Sequence, residues 1–308
     1  MKAGTNSQHV VACIPYYRCP RYIRRAVNSL LQQTHKDISV VVMNDADHQT
    51  PPWPVLADIR DPRLIRFDLK ENNGPYFATQ VLLLVTKAPY FLIQDADDWS
   101  HPQRVEILLH SMLKERSHFS TSAQPQITAS ADGTDKVAEV RWVKSIRNDR
   151  SNANAGGRNG FQVNKNLDPQ FRYRLPHHGL FQTQALRNIG GYHPAFRINY
   201  DCVVTNLMLM TGAISHVPAP LYYRFRLNNS ITHSPRTGIR SPASQKELRL
   251  GSFIYAESYT SYLEFLKGHI TKEELSANIR HSLSRFINDE LKTSIHKEAD
   301  RFIDLVNH

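Results

Sequence analysis

The chain has 308 residues, of which 41% are hydrophobic and 21% are charged, a composition typical of a globular protein with a buried core. No apolar stretch approaches the ~18 residues of a transmembrane helix, and the N-terminal residues lack a secretory signal core, so we expect a cytoplasmic protein. The formal net charge is +10, but the basic residues are scattered, which favours nucleotide diphosphates over nucleic acid as partners.

The first 120 residues alternate between strand-like and helix-like patterns. Runs of apolar and β-branched residues predict strands at 9–17, 38–45, 64–71 and 89–95. Apolar residues spaced three and four apart predict helices at 20–33, 75–87 and 101–117, and a proline-led segment predicts a short helix at 52–60. Strands that alternate with helices of this length predict an α/β fold with a mostly parallel, doubly wound sheet.

The pattern changes after residue 120. Strands are predicted at 139–147 and 177–182, an extended edge strand at 214–226, and helices at 184–189 and 199–212. Residues 148–166 and 232–244 are rich in turn-forming residues and predict loops. Within them, 150–160 and 233–243 are either lids that order over a ligand or plain surface loops.

The last part of the chain, residues 245–308, is predicted to be wholly helical. One helix face carries Leu275, Ile279, Leu283, Phe286, Ile287 and Leu291, and another carries Phe302, Ile303 and Val306. We expect these helices to pack on the body of the protein as a C-terminal helical subdomain. The alternative is that they form a homodimer or a peripheral membrane contact.

Polar residues follow three of the predicted strands. Tyr17 and Arg18 follow the first strand, Asn44 and Asp45 the second, and residues 95–98 the fourth. Ligands of open α/β sheets bind at the carboxyl ends of the strands, so this edge is the expected site. For Asn44 and Asp45, an ordinary polar turn is the competing interpretation.

The segment "DADD" (95–98) places three carboxylates within four residues. In an extended chain Asp95 and Asp97 point to one side and Asp98 to the other. Mn²⁺ and Mg²⁺ take one or two carboxylates and fill their remaining positions with water and phosphate oxygens, so the motif indicates a metal–diphosphate site. The alternative is an acidic cap at the start of the 101–117 helix.

The order of several motifs resembles that of the inverting glycosyltransferases of family 2. These motifs are "CIPYYRCPRYIRRAVNSLLQQTHKDISVVVMNDADHQT", "NNGPYFATQ", "FLIQDADDW", "GLFQTQALRNIGGYHP", "NYDCVV" and "YYRFRLNNSIT". The resemblance implies a Rossmann-like GT-A fold around a mostly parallel central sheet. It implies a GT-A domain at 1–235, with a nucleotide-sugar half at 1–120 and an acceptor half at 121–235, followed by a helical extension at 236–308.

The resemblance also implies roles for residues in the first half. Pro15, Tyr17 and Asp45 would line the uracil and ribose pocket, where a tyrosine can stack on the base and a carboxylate can accept its N–H. Asp98 would ligate Mn²⁺ or Mg²⁺, Asp97 would face the metal or the ribose, and Asp95 is a second candidate ligand. Arg18, Asn44 and Gly74 complete the implied donor site, although Arg18 and Asn44 replace the usual residues of the family.

In the second half, the resemblance makes Asp201 the general base that takes the acceptor's proton. Without the resemblance, Asp201 would be an ordinary acidic residue at a helix start. His178 is a candidate contact for the diphosphate or acceptor, with a structural histidine as the alternative. Arg224 and Arg226 are candidate phosphate ligands, with solvated edge-strand charge as the alternative.

The implied activity is that of an inverting, metal-dependent hexosyltransferase. It would move a sugar from a nucleotide donor, UDP being favoured, to a hydroxyl of a saccharide, lipid-linked or small-molecule acceptor. The departures at Arg18 and Asn44 favour one alternative, an inactive GT-A-fold protein that binds a nucleotide or carbohydrate. A nucleotidyltransferase is disfavoured because "IPYYRCPRY" lacks the glycines of a phosphate-binding loop.

Overall fold

A computed structural model describes residues 7–129, 137–142, 156–157, 160–161, 175–226, 238 and 241–307. Its strands are β1 (Val10–Tyr16), β2 (Ile38–Asn44), β3 (Leu64–Asp68), β4 (Tyr90–Ile93), β5 (Trp99–Ser100), β6 (Phe119–Ala123), β7 (Pro125–Ala129), β8 (Val137–Trp142), β9 (Gly156–Gly157), β10 (Gly160–Phe161), β11 (Leu180–Gln182), β12 (Ile214–Pro220) and β13 (Tyr222–Arg226). Its helices are α1 (Pro20–Leu31), α2 (Pro75–Val85), α3 (Arg104–Glu115), α4 (Thr183–Asn188), α5 (Tyr200–Thr211), α6 (Pro242–Leu266), α7 (Lys272–Ser284) and α8 (Asp289–Asn307).

Nine strands form a central sheet in the order β3-β2-β1-β4-β11-β6-β12-β10-β9. The first four strands of that order run parallel, as their alternation with helices predicts. Strand β1 is almost wholly buried, because helices cover both faces of a parallel sheet. The carboxyl ends of β1, β2 and β4 therefore meet at one edge, and the predicted α/β sheet is confirmed.

An antiparallel strand enters the middle of this sheet. Strand β11 pairs with both β4 and β6, and Leu180 lies opposite Leu92 in the first pairing. Because β11 runs opposite to β4, the residues that precede β11 lie beside the end of β4. This topology brings His178 to the acidic segment that follows β4.

A smaller, four-stranded sheet has the order β5-β13-β7-β8. Strand β13 is antiparallel to β5, with Tyr223 opposite Trp99, so its next residues run past the acidic segment. The prediction of one edge strand over 214–226 is wrong. The chain leaves the first sheet at Leu221, after two prolines that have no N–H for the ladder, and β12 lies inside the large sheet between β6 and β10.

Other local predictions also need correction. Residues 52–60 form isolated turns instead of a helix, since prolines at 51, 52 and 54 remove N–H donors. Helix α6 begins at Pro242, inside the predicted loop 232–244, and β9 and β10 lie inside the predicted loop 148–166. Apart from residues 238 and 241, the remainder of both loops lies outside the described residues, and so do residues 143–147 of the predicted strand 139–147.

The three C-terminal helices pack on the body of the protein. One hydrophobic cluster contains Ile254 of α6, Leu275 of α7 and Phe302 of α8, together with sheet residues such as Val41. The ring of Phe302 meets Phe67 of β3 edge-on at 5.1 Å between centroids. The predicted single helix face over 275–291 is wrong, because a turn at 285–286 separates α7 from α8.

The proposed division at residue 235 stays a prediction, and so do the dimer and membrane contacts. In the described part of the chain, no helix is both long enough and apolar enough to cross a membrane.

His193 lies at the boundary between the body and α7. Its Nε2–H donates to the carbonyl of Leu283 at 3.2 Å, and its Nδ1 accepts the N–H of Ala195 at 3.3 Å. Burial lowers the pKa of His193 from 6.5 to about 4, so the folded protein holds the neutral imidazole.

This arrangement predicts a loss of stability in acid. Because the pKa of His193 is lower in the folded protein than in the unfolded chain, protonation favours unfolding as pH falls from 6.5 towards 4. The full shift corresponds to roughly 3 kcal/mol in the free energy of unfolding. Urea denaturation at several pH values should show a shallower decline for His193→Gln than for the unsubstituted protein. Identical pH profiles would contradict the prediction.

Candidate active site

The acidic segment 95–98 forms a turn directly after β4. The N–H of Asp98 donates to the carbonyl of Asp95 at 3.3 Å, which closes the turn. Two contacts hold it against β13: the N–H of Asp95 donates to the hydroxyl of Tyr222 at 2.9 Å, and Oδ1 of Asp98 accepts the N–H of Phe225 at 2.6 Å. Asp98 is 3% exposed, whereas 41% of the Asp95 side chain is exposed.

Two arginines balance this negative charge. Arg104, at the start of α3, is fully buried, donates to the carbonyl of Ile93 at 3.0 Å, and stacks on the ring of Tyr222 at 4.4 Å. Arg224 of β13 lies on the other side. Burial alone would lower the pKa of Arg224, but nearby carboxylates outweigh it and raise the pKa; they are Asp98, Asp95 and Asp201.

His178 completes a cluster with two of the carboxylates. Its Nε2 lies 2.9 Å from Oδ2 of Asp95, and ligand atoms of Asp95, Asp98 and His178 all lie within 4.8 Å of one another. No other group of three potential metal ligands is found among the described residues. Asp97 lies outside the cluster, so the turn groups Asp95 with Asp98 rather than with Asp97.

Gln124, which lies between β6 and β7, also contacts His178. Nε2 of Gln124 donates to the carbonyl of His178 at 2.9 Å, which turns Oε1 of Gln124 towards Nδ1 of His178 at 3.3 Å. Both ring nitrogens of His178 therefore face oxygen acceptors, since Nε2 lies 2.9 Å from Oδ2 of Asp95. A cation bound at Nε2 would require the proton on Nδ1, where Oε1 of Gln124 can accept it.

The protonation states of the cluster follow from burial and repulsion. Burial raises the pKa of Asp98 well above its usual range, and the charges of Asp97 and Asp95 add to the effect. Burial and the charge of Asp95 raise the pKa of Asp97 to about 7. Burial also lowers the pKa of His178, which favours its neutral form. A positive charge placed among these groups would therefore stabilise the ionised carboxylates.

At the end of β1, the ring of Tyr17 is 44% exposed and has the guanidinium of Arg18 stacked 5.0 Å from its centroid. The backbone N–H of Arg18, at a positive φ of 51°, donates to Asp47 at 3.0 Å. Asn44 is buried beneath this loop, and its Nδ2 donates to Asp68 at 2.6 Å. The hydrogen bonds of Asp47 and Asn44 thus stabilise the loop that carries the exposed ring of Tyr17.

Asp45 connects the end of β2 to the start of α2. Its two carboxylate oxygens accept the backbone N–H groups of Asn73 at 2.9 Å and Gly74 at 2.8 Å. Gly74 has a φ of +94°, and a Cβ there would lie 3.2 Å from Cγ of Arg197. Burial raises the pKa of Asp45, while the two backbone hydrogen bonds act in the opposite direction.

Asp201 lies in the first turn of α5 and is half-buried. Its backbone N–H donates to the hydroxyl of Tyr76 at 3.3 Å, and the Tyr76 ring lies 6.3 Å from that of His177. The rings of His177 and His178 are 4.2 Å apart, so a continuous row of rings runs from Asp201 to Asp95. Burial raises the pKa of Tyr76, and the charges of both aspartates add to that effect.

Other predicted residues lie nearby or in supporting positions. Pro15 is half-buried and pairs with Met43 between β1 and β2, and Arg226 ends β13 opposite Thr128. The donor, metal and base assignments of all these residues stay predictions. Sequence reasoning misses Arg104, Gln124 and Tyr222, because their roles depend on contacts between distant segments.

The fold is the GT-A fold of glycosyltransferases. Residues 11–190 match the family described as "Glycosyl transferase family 2", which is more than half of the chain, so the chain belongs to that family. The match ends before Asp201 and Arg224. The family and the GT-A fold implied by the sequence motifs are both confirmed.

Curated relatives match over about a third of the chain. A chondroitin synthase of Pasteurella multocida (strain Pm70) is 31% identical over 104 residues, which are 34% of this chain and 11% of that protein. The Escherichia coli protein WfaP, named as a UDP-Glc:alpha-D-GlcNAc-diphosphoundecaprenol beta-1,3-glucosyltransferase, is 28% identical over 109 residues, which are 35% of this chain and 43% of WfaP. The chain thus aligns with less than half the length of either relative.

Solved structures of S. aureus TarS share the fold. The complex of TarS 1–349 with UDP-GlcNAc superposes with a TM-score of 0.57 at 14% identity, over 96% of this chain and 88% of that one. The complex of the same fragment with UDP gives a TM-score of 0.56 at 14% identity. The family match and the shared fold thus agree on a family 2 glycosyltransferase with a GT-A fold.

Proposed function

We propose that this protein transfers a sugar from a UDP-linked donor to a hydroxyl acceptor, with inversion at the anomeric carbon and with Mn²⁺ or Mg²⁺. The observation that carries the proposal is that the positive charge of Arg224 on β13 interacts with three carboxylates, those of Asp98, Asp95 and Asp201. This is the arrangement that a donor diphosphate and an attacking hydroxyl need. The UDP and UDP-GlcNAc complexes of TarS, and the donor named for WfaP, support a UDP-linked sugar.

The residues present fit a divalent metal. Asp95 and Asp98 offer carboxylate oxygens, and His178 offers a lone pair on Nε2 when its proton is on Nδ1, where Oε1 of Gln124 can accept it. Oxygen ligands suit both metals, and the imidazole favours Mn²⁺ because Mg²⁺ is held mostly by oxygen. When bound, the metal supplies positive charge that stabilises the leaving diphosphate. We therefore propose Asp95, Asp98 and His178 as its ligands, with Asp97 facing the donor ribose.

The protein's own groups bind and orient the donor. The exposed ring of Tyr17 can stack on the uracil base, and the guanidinium of Arg224 can donate two hydrogen bonds to a phosphate. Arg226, further along β13, is a second candidate for the same anion.

Asp201 acts on the acceptor. As the acceptor oxygen attacks the anomeric carbon, the bond from that carbon to the diphosphate breaks, and the hydroxyl proton passes to the Asp201 carboxylate. The hydrogen bond from its N–H to Tyr76 fixes the start of α5 against the row of rings. The direction of attack, opposite to the leaving diphosphate, gives inversion.

The proposal predicts that Asp201→Asn abolishes transfer without abolishing donor binding. The amide cannot take the proton, so kcat should fall by about 10²- to 10⁴-fold, while the Kd for UDP changes little. Transfer assays with UDP-Glc and UDP-GlcNAc over a panel of saccharide acceptors would measure this, with Asp304→Asn on the exposed surface of α8 as the matched control. Binding of UDP with no turnover in the unsubstituted protein would instead identify an inactive GT-A-fold binding protein.

The role of Gln124 generates a second prediction. Gln124→Ala removes the oxygen that accepts the Nδ1 proton of His178 when Nε2 binds a metal, so the affinity for Mn²⁺ should fall by about 10- to 100-fold. Mn²⁺ titration followed by electron paramagnetic resonance would measure the Kd without any substrate. Gln182→Ala is the matched control, because Gln182 donates to the carbonyl of Ser117 at 3.1 Å, away from the cluster. An unchanged Mn²⁺ affinity in Gln124→Ala would exclude His178 as a ligand in this tautomer.

A further inference from the structure

The segment that leads into α5 is held by a helix from the C-terminal part of the chain. Glu247, in the second turn of α6, accepts two successive backbone N–H groups through its two carboxylate oxygens. Oε1 accepts from Arg197 at 3.1 Å, and Oε2 accepts from Ile198 at 2.9 Å. A bidentate contact of this kind fixes both the position and the orientation of a short backbone segment.

The next residue, Asn199, is the N-cap of α5 and adopts a left-handed conformation with a φ of 65°. An asparagine in this position commonly accepts a hydrogen bond from the first turn of its own helix. Here the side chain makes no such bond, and Nδ2 donates instead to Oγ of Ser244 on α6 at 3.0 Å. The cap of α5 is thus replaced by a second contact with α6, two residues before Asp201.

The same segment also reaches the donor side of the sheet. The guanidinium of Arg197 donates to the side chain of Asn72 at 2.6 Å and to its carbonyl at 2.8 Å. Asn73 and Gly74, which follow, donate their N–H groups to Asp45 at the end of β2. Residues 197–199 therefore connect α6, the loop before α2 and the start of α5.

We propose that Glu247 is a positioning residue for Asp201, and that the N-terminal turns of α6 hold the general base in place. This inference rests on the proposed function, since it assigns to α6 the support of the residue that takes the acceptor proton. Misplacement of a catalytic group by about 1 Å can cost on the order of 10²-fold in rate. Loss of the Glu247 contact should therefore reduce kcat more than it reduces donor binding.

A purely structural role predicts a different result, and α6 offers a matched control. Glu257 on the same helix accepts a hydrogen bond from Arg285, just after α7, at 2.6 Å. Glu257→Gln weakens the packing among the C-terminal helices without touching residues 197–199. Both variants exchange a glutamate for the glutamine of equal size, so thermal unfolding can compare their effects on stability.

The experiment measures kcat, KM for the donor, Kd for UDP and Tm for Glu247→Gln and Glu257→Gln. We expect kcat to fall at least about tenfold in Glu247→Gln, with KM and Kd within about twofold, and to change less than twofold in Glu257→Gln. An unchanged kcat in Glu247→Gln, or an equal fall in both variants, overturns the inference. If Glu247→Gln does not fold, Ser244→Ala leaves Glu247 in place, removes the contact of Oγ with the Asn199 side chain and is judged by the same criteria.

A double substitution separates this inference from the proposed function. If Glu247 acts through Asp201, adding Glu247→Gln to Asp201→Asn should cause no further loss of kcat. If Asp201→Asn alone retains kcat, the proposed base is wrong. If Asp201→Asn loses kcat while Glu247→Gln retains it, the proposed base stands and the positioning role of Glu247 fails.

Discussion

The burial of negative charge at the end of β4 is the constraint on which the rest of the site depends. Asp98 is 3% exposed and has two further carboxylates within the same turn, so the fold must supply positive charge and hydrogen-bond donors around it. Arg104 of α3 and Arg224 of β13 supply the positive charge, and both interact with the charges of Asp95 and Asp98. Two strands that enter from the second half of the chain, β11 and β13, bring His178 and Arg224 to this point.

The second half of the site is built on the same framework. Asp201 is the second residue of α5, and a row of rings from Tyr76 to His178 runs between its backbone and the side chain of Asp95. Glu247 on α6 fixes the segment before Asp201, so the C-terminal helices contribute to the proposed site as well as to the core. The proposed donor-binding and acceptor-binding carboxylates thus lie at the two ends of this row of rings.

The sequence predicts well those features that local periodicity determines. Strands β1 to β4 and helices α1 to α3 follow from apolar spacing, and their parallel order follows from their alternation. It cannot predict pairings between distant segments: His178 meets Asp95 across 83 residues, and Gln124 meets His178 across 54. In an extended strand, alternation would place Asp95 and Asp97 on the same side. The structure has a turn here, closed by the hydrogen bond from the N–H of Asp98, and this turn brings the carboxylates of Asp95 and Asp98 together instead.

The central claim is that the cluster at the end of β4 binds the donor diphosphate through a divalent metal. Isothermal titration calorimetry of UDP, in the presence of Mn²⁺ and again in excess chelator, tests it most directly. We expect UDP to bind at least about tenfold more tightly with Mn²⁺, because the positive charge of the metal attracts both the carboxylates and the diphosphate. Asp98→Ala should remove this difference. Equal UDP affinity with Mn²⁺ and with chelator would contradict the account.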